Sequence, residues 1–96
     1  GVVFDSKKEA ARYAELKLLA QCGSIDALEL QPVYELQPAF KCGKTTIRAI
    51  KFIGDFRYIE NGRVIVEDSK GIRTQAFLIK AKMFQYIHRD IELRIT

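Results

Sequence analysis

Two aspartates and a lysine lie in neighbouring segments of the chain, and their side chains are of the types that bind divalent metal ions and phosphates. The segment GRVIVEDSKG, residues 62–71, starts as a β-strand and ends with Asp68 and Lys70, and Asp55 precedes it in GDFRY. Carboxylate oxygens are the ligands that hard cations such as Mg²⁺ take. A lysine ammonium beside them can counter the charge of a phosphate. Whether these side chains act together depends on the strands that carry them.

A tight turn between the two strands decides which residues face each other. Asn61-Gly62 is a strong signal for a two-residue type I′ turn, because both central residues of this turn need positive φ. The turn fixes the register, and this register places Asp55 opposite Asp68. Like charges that oppose each other directly destabilise a sheet, whereas a divalent cation between them reverses the sign. The register therefore favours a metal site between the two aspartates.

The alternation of side chains along the strand adds Lys70 to this pair. Residues two apart point to the same face, so Lys70 joins Asp68, whereas Glu67 and Ser69 point to the other face. Glu67 is therefore left out of the predicted site. The alternative interpretation is an ordinary ion pair between Lys70 and an aspartate on a solvated edge, since such pairs are common and weak.

Two predicted helices each contribute one further charged side chain. Glu9 shares a sheet-facing strip with Tyr13 and Leu16, so its carboxylate points towards the same region. Glu9 is also the third helical residue of a capping box that begins at Ser6, where glutamate is favoured for local reasons. Lys80 lies in the middle of the apolar face of the second helix. It either extends along apolar surface towards water or reaches an anionic site.

The hydrophobic pattern predicts an α/β fold with a mixed sheet. The predicted elements are a helix over residues 6–22, strands over 28–36, 46–59 and the start of 62–71, a helix over 74–87, and a last strand in IELRI, 91–95. This order fits a sheet that combines a hairpin with a crossover through the second helix. Pro32 interrupts the first strand, which favours an edge or a bulge, and QPAFKCGK is expected to be a loop.

The composition limits the classes of fold and partner. Ninety-six residues with 48% hydrophobic and 29% charged side chains indicate one folded domain, 1–96, and exclude a disordered tail. No apolar run approaches the roughly 18 residues of a membrane span, so no membrane partner is expected. The chain begins at Gly1 without methionine, and we expect a domain truncated at its N-terminus. Cys22 and Cys42 have no metal-binding or disulfide spacing, which is typical of reduced cytoplasmic thiols.

The net charge of +4 makes a polyanionic partner plausible, although charge alone is weak evidence. The basic run Lys41, Lys44, Arg48 and Lys51 could track a phosphate backbone. Such a run is more often a solvated face, so it counts only in combination with the other features.

The order of elements and the placement of the charged residues resemble the PD-(D/E)xK nuclease superfamily. The matching residues are Glu9 in FDSKKEA, Asp55 in GDFRY, and Asp68-Ser69-Lys70 in VEDSKG. The phrases FDSKKEAARYAEL, LELQPVYEL and FLIKAKMF are similar to those of a small phage and prophage family of uncharacterised endonucleases near Holliday-junction resolvases. One position departs from the superfamily pattern, since Gly54 stands where the superfamily's name implies proline.

The resemblance implies a restriction-endonuclease-like fold and a Mg²⁺-dependent DNA endonuclease, with Mn²⁺ as a substitute metal. Asp55 and Asp68 would hold the metal, together with the backbone carbonyl of Ser69 and with Glu9 directly or through water. Lys70 would position the attacking water or help to deprotonate it. Branched or recombination-intermediate DNA is a candidate substrate, and a phage or prophage protein of this kind would act in the cytoplasm of a bacterial host.

The remaining expectations concern DNA contacts and assembly. Lys80 is expected as a second phosphate contact and Gln31 as a polar neighbour of the site. Ala11, Ala14 and Leu18 form a small apolar strip that either serves a homodimer or consists of scattered surface residues. The alternative function is a non-catalytic DNA- or protein-binding module of the same fold, which would grip its partner without cutting.

Overall fold

Two helices and eight strands make up the described part of the chain in this computed structural model, which covers residues 4, 6–69 and 73–96. The helices are α1 (Lys7–Gln21) and α2 (Gln75–Ile87). The strands are β1 (Asp26–Leu30), β2 (Val33–Gln37), β3 (Phe40–Cys42), β4 (Thr45–Ile47), β5 (Ile50–Ile53), β6 (Phe56–Glu60), β7 (Arg63–Asp68) and β8 (Glu92–Ile95). No helix in these ranges is long and apolar enough to cross a membrane.

Four of the strands form the central sheet, in the order β1-β6-β7-β8. The pairs β1–β6 and β6–β7 are antiparallel, and β7–β8 is parallel. The parallel pair is connected through α2, because parallel neighbours need a crossover that is longer than a hairpin turn. The predicted α/β fold class is confirmed, as is the sheet that combines a hairpin with a helical crossover.

The chain between β1 and β6 departs from the prediction. It forms a long antiparallel excursion, in which β2 pairs with β5 at the base and β3 pairs with β4 at the tip. The single strand predicted over 28–36 is broken at Gln31. This residue directly precedes Pro32 and has a left-handed φ of 49°. The strand predicted over 46–59 is likewise three strands. The loop prediction for QPAFKCGK is wrong at β3, because a glycine turn at Gly43, with φ of 63°, returns the chain as a two-stranded ribbon.

One face of the central sheet packs against α1. The buried cluster on this face is formed by Leu16, Ile25, Phe56, Tyr58 and Ile65. The helix begins where predicted, because the Ser6 side chain accepts a hydrogen bond from the Glu9 amide at 3.1 Å. The predicted sheet-facing strip is also confirmed, since Glu9 and Leu16 are the buried residues of α1.

The opposite face packs against α2. Its buried cluster joins Phe52 of β5 and Val66 of β7 to Ala81 and Phe84 of the helix. Phe52 and Phe84 stack with ring centroids 4.9 Å apart. The base of the excursion therefore shares a core with the central sheet, and it is held against α2 by aromatic packing.

The β6–β7 hairpin has the register that the sequence predicts. Asn61 and Gly62 have φ of 52° and 78°, as a type I′ turn requires. Glu60 lies opposite Arg63, and the pairing continues without a bulge to Phe56 opposite Glu67. The turn chemistry therefore decides which side chains of the two strands share a face.

Gly54 closes the gap between the excursion and the hairpin. A Cβ at this position would lie 2.7 Å from Cγ1 of Val66, closer than carbon atoms approach each other in folded proteins. The Gly54 amide also donates a hydrogen bond to the Pro32 carbonyl at 3.0 Å, which a proline could not do. Glycine at position 54 therefore has a local structural reason.

Replacing Gly54 by alanine should destabilise the protein. We expect Gly54→Ala to lower the free energy of unfolding by about 1–3 kcal/mol, because the added methyl overpacks the site against Val66. In a Val66→Ala background the colliding atom is gone, so the same substitution should cost at least about 0.5 kcal/mol less. Urea denaturation of the four proteins measures this coupling. An equal cost in both backgrounds would contradict the explanation.

Candidate metal site and basic surface

The candidate site lies where the hairpin ladder ends, and the backbone brings its first two residues together. The Asp55 amide donates to the Glu67 carbonyl at 2.9 Å. In return, the Ser69 amide donates to the Oδ2 atom of Asp55 at 2.7 Å. The Asp55 carboxylate therefore lies on the peptide that joins Asp68 to Ser69. The paired register ends at Phe56 and Glu67, so the direct opposition of Asp55 and Asp68 stays a prediction.

Asp68 is the last residue of β7 and is held from its other side by β8. It lies opposite Ile95, and its carbonyl accepts a hydrogen bond from the Thr96 amide at 3.0 Å. The side chain is only 1% exposed. It shares the α2 face of the sheet with Val66, because residues two apart in a strand point the same way. A phosphate can reach this carboxylate only after the surrounding side chains move aside.

Glu9 does not complete a three-carboxylate cluster with these aspartates. Among residues 4, 6–69 and 73–96, no group of three or more His, Cys, Asp or Glu side chains lies close enough together to hold a metal ion. The physical reason is the placement of α1, which packs on the sheet face opposite to that of Asp68. Glu9 is buried at 9% exposure, and the hydrogen bond of its amide to Ser6 serves the helix start. Its predicted role through water stays a prediction.

Two of the predicted site groups rest on residues of which the structure says little or nothing. Lys70 lies outside the described residues, so its position beside Asp68 stays a prediction. Ser69 is half-buried and its amide serves Asp55, while the use of its carbonyl as a metal ligand stays a prediction.

Gln31 lies beside the candidate site through its backbone. Its amide donates to the Asp55 carbonyl at 2.9 Å, at the point where the left-handed φ of Gln31 redirects the chain. The side chain of Gln31 is exposed. This bond places the Gln31 main chain next to Asp55, and the predicted role of its side chain at the site stays a prediction.

The predicted basic residues fall into two groups. Lys51 of β5 and Lys80 of α2 line one cleft of about 280 Å³, together with Phe52, Ile53 and the helix start at Thr74. Both lysines are exposed. The remaining three, Lys41, Lys44 and Arg48, are exposed in and beside the β3–β4 ribbon, away from this cleft.

The sequence leaves Glu67 out of the predicted metal site. In the structure, Glu67 is the centre of a buried polar cluster. The Arg12 guanidinium donates to both of its carboxylate oxygens, at 2.7 and 2.9 Å. The Tyr58 hydroxyl donates to the same carboxylate at 2.8 Å. Glu67 is 2% exposed, so the pair with Arg12 ties α1 to the strand residue that immediately precedes Asp68.

The cluster continues across the sheet to β8. Arg94 donates to the Tyr58 hydroxyl at 3.3 Å and to Glu60 at 3.0 Å, and it also pairs with Glu92. The sequence gives one indication that Arg12 could link α1 to the sheet. Arg12 lies one helical turn after Glu9 and beside the sheet-facing strip. Its choice of Glu67 as partner follows only from the docking of α1 on the sheet.

The environment of Glu67 determines how its charge depends on pH. Burial alone would raise the pKa of the Glu67 carboxyl, but hydrogen bonds from Arg12 and Tyr58 outweigh burial, and the pKa lies below its ordinary value of 4.5. A carboxyl whose pKa is lowered in the folded state stabilises the fold above its unfolded pKa. This stabilisation is lost as the pH falls through the folded pKa.

We expect Glu67→Gln to lower the free energy of unfolding at pH 7 by about 2 kcal/mol, because charged hydrogen bonds to Arg12 are lost. The difference from the wild type should shrink as the pH falls below about 4.5. The matched control is Glu15→Gln, which removes the other, exposed partner of Arg12 and should cost no more than about 0.5 kcal/mol. Urea denaturation from pH 3 to 7 measures both, and a difference independent of pH would contradict the assignment.

Comparison with known proteins gives one family match. No curated protein matches the chain. The model of the family described as "Protein of unknown function (DUF1064)" matches residues 1–96. Because this match covers the whole chain, the protein belongs to the DUF1064 family.

Proposed function

We propose that this protein is a metal-dependent DNA endonuclease that hydrolyses phosphodiester bonds. The observation that carries the proposal is the contact of the Asp55 carboxylate with the Ser69 amide, which holds it on the backbone beside Asp68. Two adjacent aspartates at the end of a hairpin are unfavourable for a purely structural sheet. The resemblance of these motifs to the PD-(D/E)xK superfamily supports the same interpretation.

The donor set fits Mg²⁺, with Mn²⁺ as a substitute. Mg²⁺ is commonly bound by one or two carboxylates together with water and substrate phosphates, so a third carboxylate is not required. Asp55 and Asp68 would hold the ion. The Ser69 carbonyl would add a neutral oxygen, and Glu9 would act through water. When bound, the metal polarises the phosphodiester and stabilises the leaving oxygen.

The side chains of the chain itself would bind and orient the DNA. Lys51 and Lys80 both line the cleft, where they would hold phosphates of the substrate strand. Ile53, which also lines this cleft, is only two residues from Asp55, so a bound strand would pass close to the aspartates. Lys70 would position the attacking water or help to deprotonate it.

The burial of Asp68 adds a requirement for opening. Because its side chain is 1% exposed, the surrounding side chains must move aside before substrate and metal can meet there. Closure around the bound phosphate would then exclude bulk water and strengthen the electrostatic interactions at the site. Branched or recombination-intermediate DNA is the candidate substrate class, since a junction offers strands that separate easily from their partners.

The test of this function is a cleavage assay with Asp68→Asn. We expect at least a 100-fold loss of rate, because a catalytic metal contributes several kcal/mol to the transition state and each ~1.4 kcal/mol is tenfold. Asp90→Asn, which removes an exposed carboxylate in the turn before β8, is the matched control and should cut at the wild-type rate. Linear, nicked, single-stranded and four-way-junction DNA are compared with Mg²⁺, Mn²⁺ or EDTA.

Metal binding without DNA separates this function from the alternative. A metal that binds the folded state raises the midpoint of thermal unfolding, and Asp68→Asn should abolish the shift that Mn²⁺ produces in the wild type. Tight DNA binding without a Mn²⁺ shift and without cleavage would instead favour the non-catalytic binding module. Wild-type cleavage by Asp68→Asn would refute the nuclease proposal.

A homodimer would let two such sites cut both strands in one encounter. Ala11, Ala14 and Leu18 are exposed on α1, and Leu18 is 62% exposed, so the strip is available for a symmetric contact. Light scattering at high protein concentration should give the mass of a dimer, and Leu18→Lys should return it to a monomer. A wild-type monomer at the same concentration contradicts this part of the proposal.

A further inference from the structure

The net positive charge of the chain is concentrated in one segment. Residues 36–54, named here the basic segment, contain Lys41, Lys44, Arg48 and Lys51 and no aspartate or glutamate. The rest of the chain carries 12 basic and 12 acidic side chains and is therefore neutral overall. A charge asymmetry of this kind produces a local positive potential, which favours a polyanion at this end of the molecule.

The tip of the basic segment is the β3–β4 ribbon, a two-stranded structure with two distinct faces. Lys41 lies opposite Thr46 on one face of the ribbon, named here the polar face. Lys44 lies in the turn between the two strands, and Arg48 directly follows β4. Phe40 lies opposite Ile47 on the other face. The side chains of Lys41, Lys44 and Arg48 are all exposed, so their charges are directed into solvent.

The size of the ribbon fits a groove of duplex DNA. Paired strands lie about 4.7–4.9 Å apart, and the major groove of B-DNA, about 12 Å wide, admits a two-stranded ribbon. Lysine and arginine on such a ribbon reach the phosphates at the edges of the groove. The polar face offers these cations without a carboxylate that would repel the phosphates.

The positive surface is continuous in sequence with the candidate site. Lys51 follows the ribbon in β5 and lines the cleft that it shares with Lys80. The cleft reaches Ile53, two residues before Asp55. A duplex on the ribbon would therefore lie on the same excursion that delivers the substrate strand to the aspartates.

We infer that the β3–β4 ribbon is a docking arm for duplex DNA, in which Lys41, Lys44 and Arg48 contact phosphates independently of base sequence. The inference rests on the proposed function for its choice of DNA as the polyanion. It goes beyond that function, because it assigns affinity to the ribbon and cleavage to the aspartates. The enzyme would then require a duplex flank beside the strand that it cuts.

The test measures the salt dependence of duplex binding in EDTA, where no cleavage occurs. The slope of log K against log salt is negative, and each phosphate contact that is lost makes it about 0.9 less steep. The slope should therefore be about 2.7 less steep in the triple variant Lys41→Gln/Lys44→Gln/Arg48→Gln. The matched control, Lys7→Gln/Lys17→Gln/Lys82→Gln, removes the same charge from exposed positions outside the basic segment and should leave the slope unchanged. A wild-type slope in the ribbon variant, or an equal loss in the control, overturns the inference.

A second variant removes the ribbon without removing the fold. Gln37 and Ile50 are paired across β2 and β5, so an Asn-Gly turn in place of residues 38–49 should close these strands directly. This variant should unfold cooperatively and show the Mn²⁺ shift of the wild type. Its slope of log K against log salt should be less steep by the same amount as in the triple variant. Retained duplex affinity in this folded variant also overturns the inference.

The two proposals fail separately. If ribbon-dependent binding is found without metal-dependent cleavage, the docking arm stands and the nuclease proposal fails. If Asp68-dependent cleavage is found with an unchanged slope in the ribbon variant, the nuclease stands and the docking arm fails.

Discussion

The register of the β6–β7 hairpin is the constraint on which the rest of the structure depends. A shift by one residue would send every side chain of β7 to the opposite face of the sheet. Val66 would then leave the α2 core, and Glu67 would enter it. Positive φ at Asn61 and Gly62 prevents this shift, because the two-residue turn closes the hairpin in one register only. A local backbone preference at the turn thus determines the chemistry at the far end of both strands.

Adjacent acids at that end have different roles because they face opposite ways. Glu67 points into the α1 side, where Arg12 and Tyr58 hold its charge in a buried cluster. Asp68 points to the α2 side, and the Asp55 carboxylate is bonded to the amide of the next residue, Ser69. The first acid fixes the helix on the sheet, and the second is the one that we propose as a metal ligand. Burial of a charge is tolerated at Glu67 because its hydrogen bonds are made within the protein.

Much of the fold follows from local signals in the sequence. Ser6 and Thr74 cap the two helices at the predicted places, and Asn61-Gly62 gives the hairpin and its register. These features depend on a few neighbouring residues, so they can be predicted without knowledge of tertiary contacts. The contact between the Asp55 carboxylate and the Ser69 amide lies just beyond the last pair of this register.

Other features depend on contacts between distant segments and could not be predicted in this way. The division of 46–59 into three strands depends on where the excursion leaves one sheet and joins another. The choice of Arg12 as the partner of Glu67 depends on the docking angle of α1. The relation of Glu9 to the aspartates has the same origin, since helical periodicity gives the strip that faces the sheet but does not say which face of the sheet it meets.

The position of the excursion within the sheet has a consequence for how the protein can change. β1 and β6 are neighbours in the central sheet, with Leu30 opposite Phe56, so everything from β2 to β5 is inserted between two strands that already pair. Lengthening such a segment at its tip adds only about 0.6 kcal/mol of loop-closure cost for each doubling. The tip of the excursion can therefore be rebuilt by insertion, deletion or exchange, while the hairpin and both helices keep a constant architecture.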